Sequence, residues 1–171
     1  STLGLIELCK DEESLEKVMY YNMLKERSLK RLDNYVNSLL DFSRNYRIEA
    51  VKEEIDLKEL VEQCVELNRP YGDDAISVRI SINVNQDGIF LGDSLRMRII
   101  LNNLISNGLK YYDDGKEWQV LSIKIRADKE RVVITVDDNG IGIEASLVEH
   151  VFDMFYRASE RPKGSGLGLY I

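Results

Sequence analysis

The sequence predicts an α+β protein: a long helical hairpin, then helices on one face of a mostly antiparallel sheet. Three observations carry this. Neither Gly nor Pro interrupts Ser14 to Ile55, where Tyr21, Leu24, Ser28, Leu32, Tyr35, Leu39, Phe42 and Tyr46 recur at spacings of three and four. From Asp56 onward, segments with a helical apolar period alternate with segments of period two. A composition of 44% hydrophobic and 31% charged residues with only two prolines suits a folded, helix-rich chain and not a disordered one.

Along the chain, Thr2, Leu5, Ile6 and Cys9 fall at i, i+3, i+4 and i+7, the tail of a helix. Asp11-Glu12-Glu13-Ser14 supplies turn and cap residues with negative charge suited to a new helix N-terminus. The long second helix carries a stripe too thin to be covered by the first helix alone, so the hairpin is expected to pair with a second copy of itself. The alternative is a long helix packed on its own domain. Around Val51–Glu54 the spacing breaks, which places the boundary between a hairpin of residues 1–52 and a domain of residues 53–171.

Asp56 and Glu59 have the spacing of a capping box, and Leu57, Leu60, Val61, Cys64 and Val65 make one apolar face before Arg69-Pro70-Tyr71-Gly72 ends the helix. Ile76, Val78, Ile80, Ile82 and Val84 alternate as a half-buried strand. A turn at Gln86-Asp87-Gly88 leads to the short strand Ile89-Phe90-Leu91. Residues 94–112 form a helix whose apolar face is Met97, Ile100, Leu101, Leu104 and Ile105. Strands at Val120–Arg126 and Arg131–Asp137 follow, then a helical stretch at Glu144–Val151.

Composition excludes several functions. No apolar run is long enough to span a membrane, and no secretory signal is visible. A net charge of −7 argues against general nucleic-acid binding and against an anionic membrane surface, so neither is an expected partner. The single histidine, His150, excludes a multi-histidine metal cluster, and Cys9 and Cys64 read as buried free thiols of a reducing compartment.

Three polar elements stand out. Asn103, Asn107 and Lys110 share one edge of the helix over 94–112, where Gly108 costs about 1 kcal/mol against Ala. This edge reads as a solvated face or as a site whose amide oxygens ligate a hard cation and whose ammonium meets a phosphate; Mg²⁺ takes such oxygen ligands. In Val136-Asp137-Asp138-Asn139-Gly140-Ile141-Gly142-Ile143, Asp138 has the parity of Val132, Ile134 and Val136, so a maintained pleat points its carboxylate into the interlayer space. Buried there it needs a partner, which a ligand amino group would supply, and Gly140 and Gly142 let the backbone pass close to a flat ring. A turn alone also explains this stretch. Gly164-Ser165-Gly166-Leu167-Gly168-Leu169, preceded by Arg157, Arg161 and Lys163, can present consecutive N–H groups to an anion.

The order of these elements closely resembles the ATP-binding domain of sensor histidine kinases of two-component signalling, with the Bergerat-type nucleotide fold. NNLISNGLKYY is similar to the family's N box, DDNGIGI to its first glycine box, VFDMFYR to its F box and GSGLGL to its second glycine box. Residues 1–52 resemble most of the dimerisation and phosphotransfer hairpin, a four-helix bundle in the dimer. The resemblance implies Asn107 holding Mg²⁺ against the ATP phosphates with Asn103 nearby and Lys110 on a phosphate. Tyr111 would border the nucleotide, and Asp138 would accept from the adenine amino group. Gly140, Gly142 and Ile143 would shape the adenine pocket, and Arg157 would reach the terminal phosphate. Gly164, Gly166 and Gly168, with Leu167 and Leu169, would close over the phosphates.

It further implies a cytoplasmic, ATP-dependent protein histidine kinase acting as a homodimer with a response-regulator receiver domain as partner; membrane anchoring of the parent stays open. The family's phosphoacceptor histidine is expected just before Ser1, so no catalytic residue is expected in this chain, which by itself is expected to be inactive. His150 is not at the acceptor position. The family continues beyond the second glycine box, so a C-terminally truncated sandwich is expected, lacking its last helix and strands and with an exposed sheet edge. Asp113-Asp114 reads as a loop beyond reach of the nucleotide. The alternatives are a degenerate dimerisation and signal-relay module, and another Bergerat-fold ATPase.

Overall fold

The computed structural model describes residues 2–10, 14–47, 50–69, 78–128, 131–158 and 166–171, and confirms an α+β architecture. Two helices come first, α1 (Thr2–Lys10) and α2 (Leu15–Arg47). They pack on each other, with Thr2 Oγ1 and Ser28 Oγ 2.6 Å apart. Tyr21, Leu24, Ser28 and Tyr35 of the predicted stripe are half-buried, whereas Leu32 and Leu39 are 59% and 47% exposed. The Phe42 and Tyr46 side chains lie outside the described residues.

The remaining elements are β1 (Glu53–Glu54), α3 (Leu57–Asn68), β2 (Val78–Gln86), β3 (Leu91–Gly92), α4 (Ser94–Lys110), β4 (Gln119–Ala127), β5 (Val132–Asp138) and a 3₁₀ turn at Ala145–His150. Ile76 lies outside the described residues. Asp56 caps α3: its Oδ1 accepts from the N–H groups of Lys58 and Glu59 at 3.0 and 2.9 Å. The Glu59 carboxylate accepts from Gln63. Asp93 caps α4 by accepting from the Arg96 N–H at 2.9 Å. That hydrogen bond, with the Arg96 guanidinium beside it, holds the Asp93 carboxyl below its usual range.

The sheet is mixed, not mostly antiparallel. Its order is β2-β4-β5, with β2 and β4 parallel and β4 and β5 antiparallel; β1 and β3 form a separate antiparallel pair. The reason is α4. A helix of 17 residues returns the chain by roughly 25 Å, close to the length of a nine-residue strand, so β4 starts at the same end as β2. Two period-two segments look alike whether they pair parallel or antiparallel, so direction had to come from this crossover.

Register places one inward set across three strands. Ile80, Leu121 and Asp138 form a row, as do Ile82, Ile123 and Val136, and then Val84, Ile125 and Ile134. Leu121, Ile123 and Ile125 are buried under α3 and α4 with Leu57, Leu60, Val61, Cys64, Val65, Leu101 and Ile105. Burial pushes the Cys64 thiol up from its usual range, with Arg98 acting weakly against it. On α4 the buried face differs in part from the expected one. Ile100 is 46% exposed and Leu104 half-buried, while Ile99 and Gly108 are buried. The face is rotated because α4 touches the sheet through Gly108. A Cβ built there would lie 2.6 Å from Leu121 Cδ1.

Gln119 is the one buried polar side chain among the described residues, 5% exposed. It shares the inward parity of β4 and donates Nε2–H to the carbonyls of Gly108 and Leu109 at 2.9 and 3.2 Å, satisfying the end of α4.

Two outcomes follow. Gly108→Ala should destabilise by about 1 kcal/mol or more although Ala is the better helix former, because Leu121 is fully buried and cannot yield. Leu121→Ala should cost less in that background than alone, and urea unfolding of the four proteins measures the coupling. For Asp93, whose folded carboxyl titrates low, the cap stabilises at neutral pH and the gain is lost as pH falls through that depressed value. The stability gap between wild type and Asp93→Asn should therefore shrink in acid; a gap independent of pH would contradict it.

Candidate functional site

The site forms where the C-terminal half of α4 meets the turn after β5. Asn103, Asn107 and Lys110 are half-buried on α4, along one edge. The helix ends at Lys110, two residues short of the expected end at residue 112: Tyr111 is the C-cap, and its N–H donates to the Asn107 carbonyl at 3.1 Å. Asp113 Oδ1 accepts from the Gly115 N–H at 3.0 Å and its Oδ2 lies 3.7 Å from Lys116 Nζ, so the carboxylate is engaged in its own turn.

Asp138 closes β5 opposite Leu121. The pleat holds as parity required: its Cβ and Oδ2 lie 3.6 and 3.8 Å from where a Gly108 side chain would stand. The expectation that this carboxylate is buried is corrected. Asp138 is exposed, at the last position of β5 where the chain leaves the sheet. Its Oδ1 accepts from the Gly140 N–H at 2.8 Å. Oδ2 thus lies beside the α4 backbone at Gly108.

The two glycine elements attach to α4 at separate points. In the first, the Ile141 N–H donates to the Tyr111 carbonyl at 3.0 Å, and a Cβ at Gly140 would strike that carbonyl. Gly140 is thus a close-approach glycine, while Gly142 has φ +70° and open space around it. In the second, a Cβ at Gly168 would lie 2.8 Å from Asn103 Oδ1, so this segment lies against the polar edge of α4. Leu167 is fully buried, Leu169 is half-buried, and the Leu167 carbonyl accepts from the Tyr170 and Ile171 N–H groups at 3.1 and 3.0 Å.

A backbone clasp joins the second glycine element to the aromatic pair. The Phe155 N–H donates to the Gly166 carbonyl at 2.9 Å. Gly166 at φ +73° lies against the Phe155 backbone, and Phe155 itself has φ +65°, a conformation costly for a residue with a Cβ. The Phe152 and Phe155 side chains are exposed. Ile143 and Arg157 are exposed as well, and Gly164, Arg161 and Lys163 lie outside the described residues. His150, on the 3₁₀ turn, has its Nδ1 2.9 Å from Asp153 Oδ2.

The structure thus brings Asn103, Gly168, Asn107, Gly108, Asp138, Tyr111 and Gly140 together around one helix. Sequence reading missed two parts of this. Gly108 was read as a helix cost, although its close contact explains it. Gln119 was not singled out, although its parity with Leu121, Ile123 and Ile125 marks it as inward. Among the described residues no group of three or more His, Cys, Asp or Glu side chains could hold a metal, and no helix is long and apolar enough to cross a membrane.

Comparison with known proteins gives the family of residues 92–171. Residues 92–171 match the family model described as histidine kinase-, DNA gyrase B-, and HSP90-like ATPase. Sensor protein GacS of Pseudomonas syringae pv. syringae is 30% identical over 99% of this chain and 20% of its own length. The chain spans less than a third of the length of the first curated relatives it matches. Among solved structures, full-length ShkA in complex with AMPPNP aligns with a TM-score of 0.70 at 26% identity, over 99% of this chain and 36% of that one. Histidine kinase ThkA in complex with response regulator protein TrrA aligns with a TM-score of 0.69 at 22% identity, over 91% and 46%, which speaks to the fold. Residues 92–171 are therefore a histidine kinase-, DNA gyrase B- and HSP90-like ATPase domain, of the kind carried by sensor histidine kinases.

Proposed function

We propose that the chain is the cytoplasmic core of a sensor histidine kinase that binds Mg·ATP for phosphorylation of a histidine and transfer to an aspartate of a response-regulator receiver domain. The observation that carries the reading is the set of glycine approaches around α4. Gly108 brings the α4 backbone beside the Asp138 carboxylate, Gly140 abuts Tyr111 and Gly168 abuts Asn103. Such a cradle suits a flat base at the Asp138 end and phosphates along the asparagine edge. That ShkA was solved with AMPPNP supports the nucleotide, and the ThkA–TrrA complex supports the class of protein partner.

In this reading Asp138 accepts from the adenine amino group, while Tyr111, Gly140, Gly142 and Ile143 border the ring. Asn107 supplies an amide oxygen to Mg²⁺ with Asn103 beside it, Lys110 meets a phosphate, and Arg157 reaches the terminal one. Gly164, Gly166 and Gly168, with Leu167 and Leu169, cover the phosphates. The bound Mg²⁺ would supply charge neutralisation, and amide and phosphate oxygens are the hard donors it prefers. The residues position the γ-phosphoryl group; an imidazole nitrogen bonds to phosphorus as the bond to the β–γ bridging oxygen breaks and ADP leaves. None of the chain's own residues is assigned as phosphoacceptor.

Residues 1–52 are proposed to form the dimerising hairpin. Support comes from Leu15, Met19, Met23, Leu29, Leu32, Val36, Leu39 and Leu40, all exposed along α2 despite its packing on α1. Exposed apolar side chains along most of a helix of 33 residues suit burial against a second copy.

Titration with AMPPNP and Mg²⁺ tests the nucleotide reading. Asp138→Asn and Asn107→Ala should each weaken binding about tenfold or more, as loss of a charged hydrogen bond or a metal ligand does. Binding unaffected by either change would contradict it, and no binding at all would favour the relay-module alternative. For the dimer, sedimentation of Leu32→Glu/Leu39→Glu should give a monomer where the wild type gives a dimer; identical behaviour of the two would refute the assignment.

A further inference from the structure

Asn139, between Asp138 and Gly140, has all four of its polar groups engaged at the entry to β4. Its Oδ1 accepts from the Val120 N–H at 2.8 Å, and its Nδ2 donates to the Trp118 carbonyl at 2.9 Å. Its own N–H donates to the Val120 carbonyl at 3.3 Å, and its carbonyl accepts from Lys116 Nζ at 2.5 Å. The regular β4–β5 pairing ends at Leu121 and Asp138. Beyond it, the side-chain amide of Asn139 extends the ladder one rung while the backbone leaves the sheet. Asp138 is thereby fixed from both sides along the strand.

The same stretch of β4 holds the helix. Gln119, between Trp118 and Val120, donates to the Gly108 and Leu109 carbonyls. Trp118-Gln119-Val120 is therefore a common anchor, with the last turn of α4 on its side chain and the Asp138 turn on its backbone. The separation between Asp138 and the asparagine edge of α4 is set through this anchor.

We propose that Asn139 is a positioning residue that sets base selectivity at the nucleotide site by fixing where the Asp138 carboxylate stands. The proposal rests on the reading of Asp138 as acceptor for the adenine amino group. Guanine presents a carbonyl at the position of that amino group, so a fixed carboxylate favours adenine and a loosely held one does not. Asn139 is half-buried at the surface, so water can satisfy the Val120 and Trp118 groups in its absence. Loss of its side chain then acts on position more than on folding.

The test is titration of the 171-residue chain with AMPPNP and, separately, GMPPNP, both with Mg²⁺, for wild type, Asp138→Asn, Asn139→Ala and Asn139→Asp. Asn139→Ala should weaken AMPPNP about tenfold and leave GMPPNP unchanged, so that the preference collapses. Asn139→Asp keeps the shape and the acceptor for Val120 but loses the donor to Trp118. It should also lose preference, which keeps the test intact if the alanine variant folds poorly. A preference retained in both Asn139 variants but lost in Asp138→Asn would overturn the proposal, as would equal weakening of both nucleotides. A preference retained in Asp138→Asn would instead remove the Asp138 reading itself, and this inference with it.

Discussion

The contact between Gly108 of α4 and Leu121 of β4 sets the geometry on which the rest depends. Leu121 is fully buried at the centre of the inward set, and the helix reaches it only because residue 108 has no side chain. That approach rotates α4, so that Ile99, Leu101 and Ile105 are buried and Ile100 is left outside. It also puts bare backbone next to Asp138, which stands opposite Leu121 in the register. Core packing and the close approach of α4 to Asp138 are thus two results of one missing Cβ. Gln119 reinforces it by satisfying the carbonyls of Gly108 and Leu109 from within the sheet.

The polar elements attach to this frame independently. The turn after β5 docks on the Tyr111 carbonyl through Gly140 and Ile141, and the second glycine element docks on Asn103 through Gly168. Each attachment is a close approach of backbone to α4. Each is sensitive to a side chain at one glycine. The clasp between Phe155 and Gly166, both at positive φ, ties the aromatic segment to the second element and stores local strain there. The proposed kinase chemistry asks of this arrangement mainly that it hold a nucleotide in one orientation, a task suited to preorganised backbone.

Much of this was legible in the sequence. The buried face of α3 was readable in full, because five apolar residues at helical spacing leave one orientation. Parity alone put Asp138 on the helix-facing side of β5. The strand directions were not legible, since alternation reports burial and not the neighbour's polarity; the α4 crossover decides it. The burial of Asp138 was misjudged because parity gives the side a residue faces and not how far it is covered at the end of a strand. The apolar face of α4 was misjudged because the helix approaches the sheet at Gly108, which carries no apolar side chain. Short β1 escaped because two residues, Glu53 and Glu54, carry no periodicity and pair only when β3 is in place. Gln119 and Asn139 act through hydrogen bonds to backbone, which composition does not announce.

The central claim is that one cradle around α4 holds adenine at the Asp138 end and phosphates along the asparagine edge. A crystal structure of this chain with AMPPNP and Mg²⁺ tests it most directly. The adenine amino nitrogen should lie about 2.9 Å from an Asp138 carboxylate oxygen, with the metal on Asn107 Oδ1. A base bound away from Asp138, or phosphates held apart from Asn103 and Asn107, would contradict it.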